Sequence, residues 1–152
     1  MKPEHLQEHP EGGRFLETFR SAVTVSTREG REKSALTHIY YSLNQGEVST
    51  FHKVDSDEIW NLYQGSGLYL YLWDGTESSP VRITLSAGTN CFCSVVPAGT
   101  WQAAEPIADT VLMGCTVAPG FEFSDFSLLE ARSSEAELLL STAPDMARLI
   151  KT

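Results

Sequence analysis

The stretch GEVSTFHKVDSDEIWNLYQG, residues 46–65, holds an imidazole, His52, and a carboxylate six positions on, Glu58, between two glycines. An imidazole takes or gives a proton near neutral pH. Burial raises a carboxylate's pKa, whereas a neighbouring imidazolium lowers it. Side chains alternate along a strand, so Val48, Thr50, His52 and Val54 share one face. Glu58, Trp60 and Leu62 share a face of the segment that follows. Paired as a hairpin, the two strands would bring His52 and Glu58 together across the ladder. A plainer reading fits the same residues: a satisfied structural histidine beside a solvated DSDE turn. A second stretch, VVPAGTWQAAE, carries Pro97, Gly99 and Gln102. Its Pro-x-Gly reads as a turn entering a strand that aims Gln102 and Ala104 to one side.

The elements that must position these groups are strands. ALTHIYYSL, EVSTFHKV, EIWNLY, LYLYLW, VRITL, CFCSVV, TVLMGCTV and FEFSDFSLL are rich in β-branched and aromatic residues. NQG, DSD, GSG, DGTESSP, SAGTN, PAG and APG separate them as turns. Many short strands at near-regular spacing predict a sandwich or small barrel. In LYLYLW, Leu68, Leu70 and Leu72 point one way and Tyr69, Tyr71 and Trp73 the other. One face fills the barrel; the other packs on a second layer or on a partner subunit. Residues 133–150 read as one or two short helices. Ser133 or Ser134 caps the first, and Pro144 opens the second with Thr142 as its cap. Leu138, Leu139, Met146, Leu149 and Ile150 pack back on the sheet. HPEGGRF is a turn in which Gly12 and Gly13 take backbone angles other residues avoid.

The chain has 152 residues, the size of one domain spanning 1–152. With 20 acids against 11 bases its net charge is −9, which repels nucleic acid and anionic lipid surfaces. No apolar run is long enough to span a membrane, and the polar start MKPEHLQEHPEGG lacks a signal-peptide core. Cys91, Cys93 and Cys115 read as reduced core thiols of a cytoplasmic protein.

Together these residues resemble the cupin superfamily. Gly46, His52, Glu58 and Gly65 fall in register with its first motif, G-x5-H-x-H-x3,4-E-x6-G. Pro97 and Gly99 match the second, which centres on P-x-G-x2-H. Val54 stands where the first motif has its second His, and Gln102 where the second has its His. Beyond the motifs, HPEGGRFLETFRS, GEVSTFHKVDSDEIWNLYQG, VVPAGTWQAA and GCTVAPGFEFSDFSLL are similar, in order from about residue 9 to 129, to a stand-alone cupin group of uncharacterised function. Its fold is like that of the RmlC-type sugar-nucleotide 3,5-epimerases. The resemblance implies an all-β double-stranded β-helix, or jelly roll, with short C-terminal helices. It also implies a homodimer. It supplies no reaction.

A usual cupin metal site offers three imidazoles and a carboxylate. This chain offers His52, Glu58 and the weak amide oxygen of Gln102. That is too few for a tight zinc or iron site. The expectation is no metal cofactor, with weak divalent binding at His52 and Glu58 left open. His38 shares a strand face with Leu36 and Tyr40, and His5 and His9 would need an arm folded over the mouth. The expected partner is a small-molecule ligand, held by Gln102, Trp60, Trp101 and Glu11. In an enzyme, His52 would be the general base and Glu58 its orienting or acidic partner. The reaction would then be a metal-free isomerisation or epimerisation of a small polar metabolite. The remaining alternative is a metal-dependent oxygenase or lyase.

Overall fold

The computed structural model describes residues 3–152. Met1 and Lys2, the first residues of the expected 1–152 span, lie outside the described residues. Thirteen strands run in chain order: β1 Gln7–Glu8, β2 Arg14–Arg20, β3 Thr24–Ser26, β4 Glu32–Ser34, β5 Thr37–Leu43, β6 Ser49–Val54, β7 Asp57–Gln64, β8 Leu68–Trp73, β9 Val81–Leu85, β10 Cys93–Val96, β11 Trp101–Pro106, β12 Val111–Ala118 and β13 Phe126–Leu128. A helix, α1 (Ser134–Thr142), and a 3-10 helix (Pro144–Leu149) follow. The strands form a six-stranded sheet, β1-β2-β5-β12-β7-β10, and a five-stranded sheet, β13-β6-β11-β8-β9. Among the described residues no helix is long and apolar enough to cross a membrane.

This topology corrects one expectation. The strands carrying His52 and Glu58 do not form a hairpin. β6 pairs with β11 and β13, whereas β7 pairs with β12 and β10. The short Asp55–Ser56 link carries the chain from one sheet to the other. A two-residue turn could close a hairpin locally, but each strand gains two partners by joining a different sheet. FEFSDFSLL is likewise not one strand. Phe123–Asp125 is a 3-10 turn, and only Phe126–Leu128 pairs, along β6.

β8 accounts for the two cores. Leu68 and Leu70 enter the barrel core beside Leu43, Trp60, Leu85 and Met113. Tyr71 and Trp73 face a second core formed with Leu139, Met146, Leu149 and Ile150. The aromatic face of LYLYLW is therefore covered by the chain's own C-terminal helices. Each such buried side chain contributes roughly 1.5–3 kcal/mol. Ser133 caps α1 by accepting from Ala136 N at 3.1 Å. Thr142 does not cap the next helix. It is the last residue of α1, and its hydroxyl bonds Leu139 O behind it.

Of the cysteines, Cys115 is buried, but Cys91 is half-buried and Cys93 exposed. Reading all three as core thiols holds for Cys115 alone.

Candidate functional site: an aromatic cavity with a buried proton cluster

The barrel holds a cavity of about 380 Å³. β2, β5, β6, β7, β12, the N-terminal segment and residues 121–126 all contribute to its wall. The walls are aromatic: Phe15, Tyr41, Trp60, Phe121, Phe123 and Phe126. Strand alternation explains the set. Thr37, Ile39 and Tyr41 of β5 point in, so His38 and Tyr40 point out. His38 lies on the outer face, with Nδ1 2.9 Å from Thr116 Oγ1 and Nε2 3.2 Å from Tyr63 OH.

The polar groups of the floor come from three separate parts of the chain. His52 is buried, and its Nδ1 lies 2.8 Å from Thr50 O. A carbonyl only accepts, so Nδ1 carries the proton and the neutral ring presents a lone pair at Nε2. That lone pair lies 3.1 Å from Glu11 Oε2. The same oxygen lies 3.3 Å from His9 Nδ1, which also accepts the backbone N–H of Glu11. Glu11 Oε1 accepts from Ser49 Oγ at 3.0 Å. Burial lowers His52 to about 4 and lowers His9. Burial raises Glu11, against the pull of His9 and the Ser49 and Tyr41 hydroxyls. Burial thus favours the protonated form of Glu11, whose Oε2 is shared by two imidazole nitrogens.

Gln102 and His52 are cross-strand partners on β11 and β6. The Gln102 amide reaches over to the other sheet. Its Oε1 accepts from Trp60 Nε1 at 2.7 Å, which leaves Nε2 to donate to Glu58 Oε1 at 3.3 Å. Trp60 thus sets the orientation of the amide. Burial, helped by the nearby Glu11, raises Glu58 to about 8. Glu58 Oε2 has no hydrogen-bonding partner among the described residues and serves the cavity that its residue lines.

Glu11, His52, Glu58 and Trp60 all line the cavity, and Gln102 bonds two of them. Trp101 does not line it. It packs in the second core, with Lys53 Nζ 4.7 Å above its ring. Since Gln102 points inward, alternation turns its neighbour outward. The acid in contact with His52 is Glu11, not Glu58. His9, Phe121 and Phe123 could not be assigned to the cavity by pattern, because they lie outside the strands, and Phe126 only opens the three-residue β13. The N-terminal arm enters the barrel at Gly12, whose φ is +107°. A Cβ there would sit 2.3 Å from Val48 O.

The mouth is rimmed by Glu17, Arg20, Glu122 and Phe123. Arg20 pairs with Glu17 at 2.7 Å and donates to Phe121 O at 2.9 Å. Residues 120–125 are further tied by Gly120 N to Ser34 O (2.7 Å) and Phe121 N to Thr37 Oγ1 (2.9 Å). Asp125 lies 2.6 Å from Arg31 and 2.7 Å from the buried Lys33. The contact to Lys33 is ionic rather than a directed hydrogen bond, and Lys33 donates instead to Ser56 Oγ.

The donor set does not suit the metal that a cupin fold often carries. Val54 lines the cavity with no donor, Gln102 is engaged through both amide atoms, and His52 Nε2 is taken by Glu11. Among the described residues no group of three or more His, Cys, Asp or Glu side chains is placed to hold an ion.

Residues 2–129 match the family model described as Cupin superfamily (DUF985). The chain is 28% identical to the uncharacterized protein YML079W of Saccharomyces cerevisiae, over 93% of this chain and 78% of that one. Protein SO0799 of Shewanella oneidensis superposes with a TM-score of 0.79 at 28% identity, over 96% and 91% of the two chains. A hypothetical protein from Leishmania major does so at 0.78 and 26%, over 95% and 90%. More distant cupins share the fold alone. One is a mutant of Bacillus subtilis oxalate decarboxylase, with a TM-score of 0.61 at 15% identity over 92% of this chain and 34% of that one.

Proposed function

This chain belongs to the cupin superfamily, in the family DUF985, and on that premise we propose that it binds a small organic molecule inside the barrel without a metal. One observation carries the reading. A cavity of about 380 Å³ with aromatic walls converges on a few buried polar groups, and one of these, Glu58 Oε2, is left for a ligand. Cavities of this size and character hold small ligands in many proteins. The test is native mass spectrometry of protein purified without an affinity tag, followed by denaturing extraction. A released small molecule at near one per chain, with metal below roughly a tenth per chain by elemental analysis, supports the reading. Stoichiometric metal would overturn its metal-free part.

A second reading is a metal-independent isomerase or epimerase. It is favoured by the opposed protonation of two groups on one cavity: an imidazole held neutral and an acid held protonated near neutral pH. His52 would accept a proton at Nε2 as Glu11 gives up that nitrogen, and Glu58 would supply one. An enzyme consumes the extracted molecule on incubation; a binding protein returns it unchanged.

The reading includes a homodimer. Phe19, His38, Thr116, Ile59 and Val95 are successive cross-strand partners along one row of the six-stranded sheet. Phe19, Ile59 and Val95 are exposed, as is Tyr63 beside His38. An outer sheet face with Phe19, Ile59, Val95 and Tyr63 exposed around His38 and Thr116 suits a second copy of the chain. The reading also includes a cytoplasmic setting, consistent with three unpaired cysteines.

A further inference from the structure

The charges around the cavity limit what can enter it. Four carboxyl groups line it: Glu11 and Glu58 on the floor, Glu17 and Glu122 at the rim. Among the described lining residues Arg20 is the one lysine or arginine, and Glu17 and Phe121 O already occupy it. The imidazoles add no settled positive charge, because burial pushes both toward the neutral form and His52 Nε2 and His9 Nδ1 both converge on Glu11, which leaves His9 Nε2 as a neutral donor. Among the described lining residues a phosphate or carboxylate would meet no cation but the ion-paired Arg20 at the rim, and burying it deeper costs several kcal/mol. The chain's net charge of −9 acts in the same direction during approach.

The walls favour the opposite sign. Phe121, Phe123 and Phe126 stand edge to face with one another, with centroids 5.0 to 6.0 Å apart. Tyr41 and Trp60 stand edge to face deeper in, at 5.6 Å. Ring faces attract ammonium groups, most strongly where water is excluded. Once its proton has left, Glu58 Oε2 offers a buried acceptor on the same cavity, and Gln102 Nε2 holds the carboxyl in place by donating to Glu58 Oε1.

We propose that the cavity takes an organic cation, a protonated amine on a small apolar or aromatic body, with the ammonium donating to Glu58 Oε2. This rests on the reading of the cavity as a ligand site. The ammonium replaces the carboxyl proton as the partner of Glu58, so one proton leaves as the cation enters. Glu58 shares the cavity with Glu11 and His9 of the N-terminal segment, Tyr41 of β5, His52 of β6 and Cys115 of β12. Glu17, Arg20 and Glu122 stand at the rim. Of the floor groups, Glu58 alone has an oxygen without a hydrogen bond, so the proton exchange is assigned to it.

Phenethylamine, 2-phenylethanol and 3-phenylpropionate share one ring and differ in charge, so they separate the cases. Each is titrated into the full chain at about pH 8, with Trp60 fluorescence and calorimetry as readouts. The amine is expected to bind at least about tenfold more tightly than the alcohol, and the carboxylate not measurably. Amine affinity is expected to rise by up to about tenfold per pH unit from about pH 6 to about 8, while alcohol affinity stays flat. Glu58→Gln is expected to erase the preference for the amine and retain the alcohol. Alcohol or carboxylate binding as tightly as the amine overturns the cation assignment and leaves the cavity reading standing. Silence from all three ligands overturns both. The wild-type series decides these outcomes even if the variant folds poorly.

Discussion

Glu11 Oε2 lies 3.1 Å from His52 Nε2, and His52 donates through its other nitrogen to Thr50 O. The imidazole is thereby fixed in one tautomer, with its lone pair on a carboxyl from the N-terminal segment. The histidine expected to meet Glu58 is one member of a three-residue cluster with Glu11 and His9. Burial pushes each member toward its neutral form, since two neutral imidazoles and a protonated acid are cheaper to desolvate than an ion pair. The ionisable groups of the cavity floor are thus displaced toward their neutral forms, and its pH behaviour differs from that of a surface.

The first prediction concerns stability against pH. Glu58 is raised from 4.5 to about 8 in the folded chain. Between these values the folded state holds a proton that the unfolded state has lost, so stability falls as pH rises. His52, lowered to about 4 from 6.5, acts in the opposite sense below pH 6.5, where the two slopes offset each other. From about pH 6.5 to about 8 the acid dominates, and stability drops by up to about 1.4 kcal/mol per pH unit. Urea midpoints should show this decline, and Glu58→Gln should make it shallower, the raised Glu11 contributing in the same sense. A wild-type midpoint constant over that range would contradict a protonated Glu58.

Gln102 is the link between the sheets at the floor. Gln102→Leu leaves both the Trp60 indole N–H and Glu58 without their partner. Two orphaned buried groups predict a loss of about 2–4 kcal/mol in chemical unfolding. A loss under about 0.5 kcal/mol would mean that water substitutes for the amide.

The mouth segment is held by charge. Asp125→Asn leaves Lys33 buried without its counterion, and a loss of about 3 kcal/mol is expected. Arg31→Ala, at an exposed side chain on the same carboxylate, should change stability little. Equal effects from the two variants would show that Lys33 is not the principal partner.

The outer face yields a prediction on association. Val95→Lys places a charge at the end of the row formed by Phe19, His38, Thr116 and Ile59. Sedimentation should show dimer dissociation at least about tenfold easier than in the wild type. A wild-type chain that is monomeric at micromolar concentration would remove the dimer from the proposed function. Gly114→Ala on the same face would push a Cβ to within 2.3 Å of the Tyr63 ring. That ring should turn outward and association should weaken, with the cavity unaffected.

The strand set and the faces of most strands were legible in the sequence. A period of two assigns Tyr69, Tyr71 and Trp73 to one side of β8 and Leu68 and Leu70 to the other with no outside information. The same rule excludes Trp101 once Gln102 is turned inward, although the residue's type had suggested a cavity wall. The motif residues Gly46, His52, Glu58 and Gly65, with Pro97, Gly99 and Gln102, marked the family, and the family supplied the jelly roll.

What the sequence determined by itself, then, was local: which residues are extended, which face each presents, and that the strands make a sandwich or small barrel. Only the tertiary structure decided partnership. β6 and β7 went to different sheets, so His52 met Glu11 from 41 positions away, and Glu58 met Gln102 from 44. Alternation fixes a side chain's direction within its own strand. Its contacts depend on how two sheets close and where an irregular arm enters, and those depend on the summed burial of the whole chain.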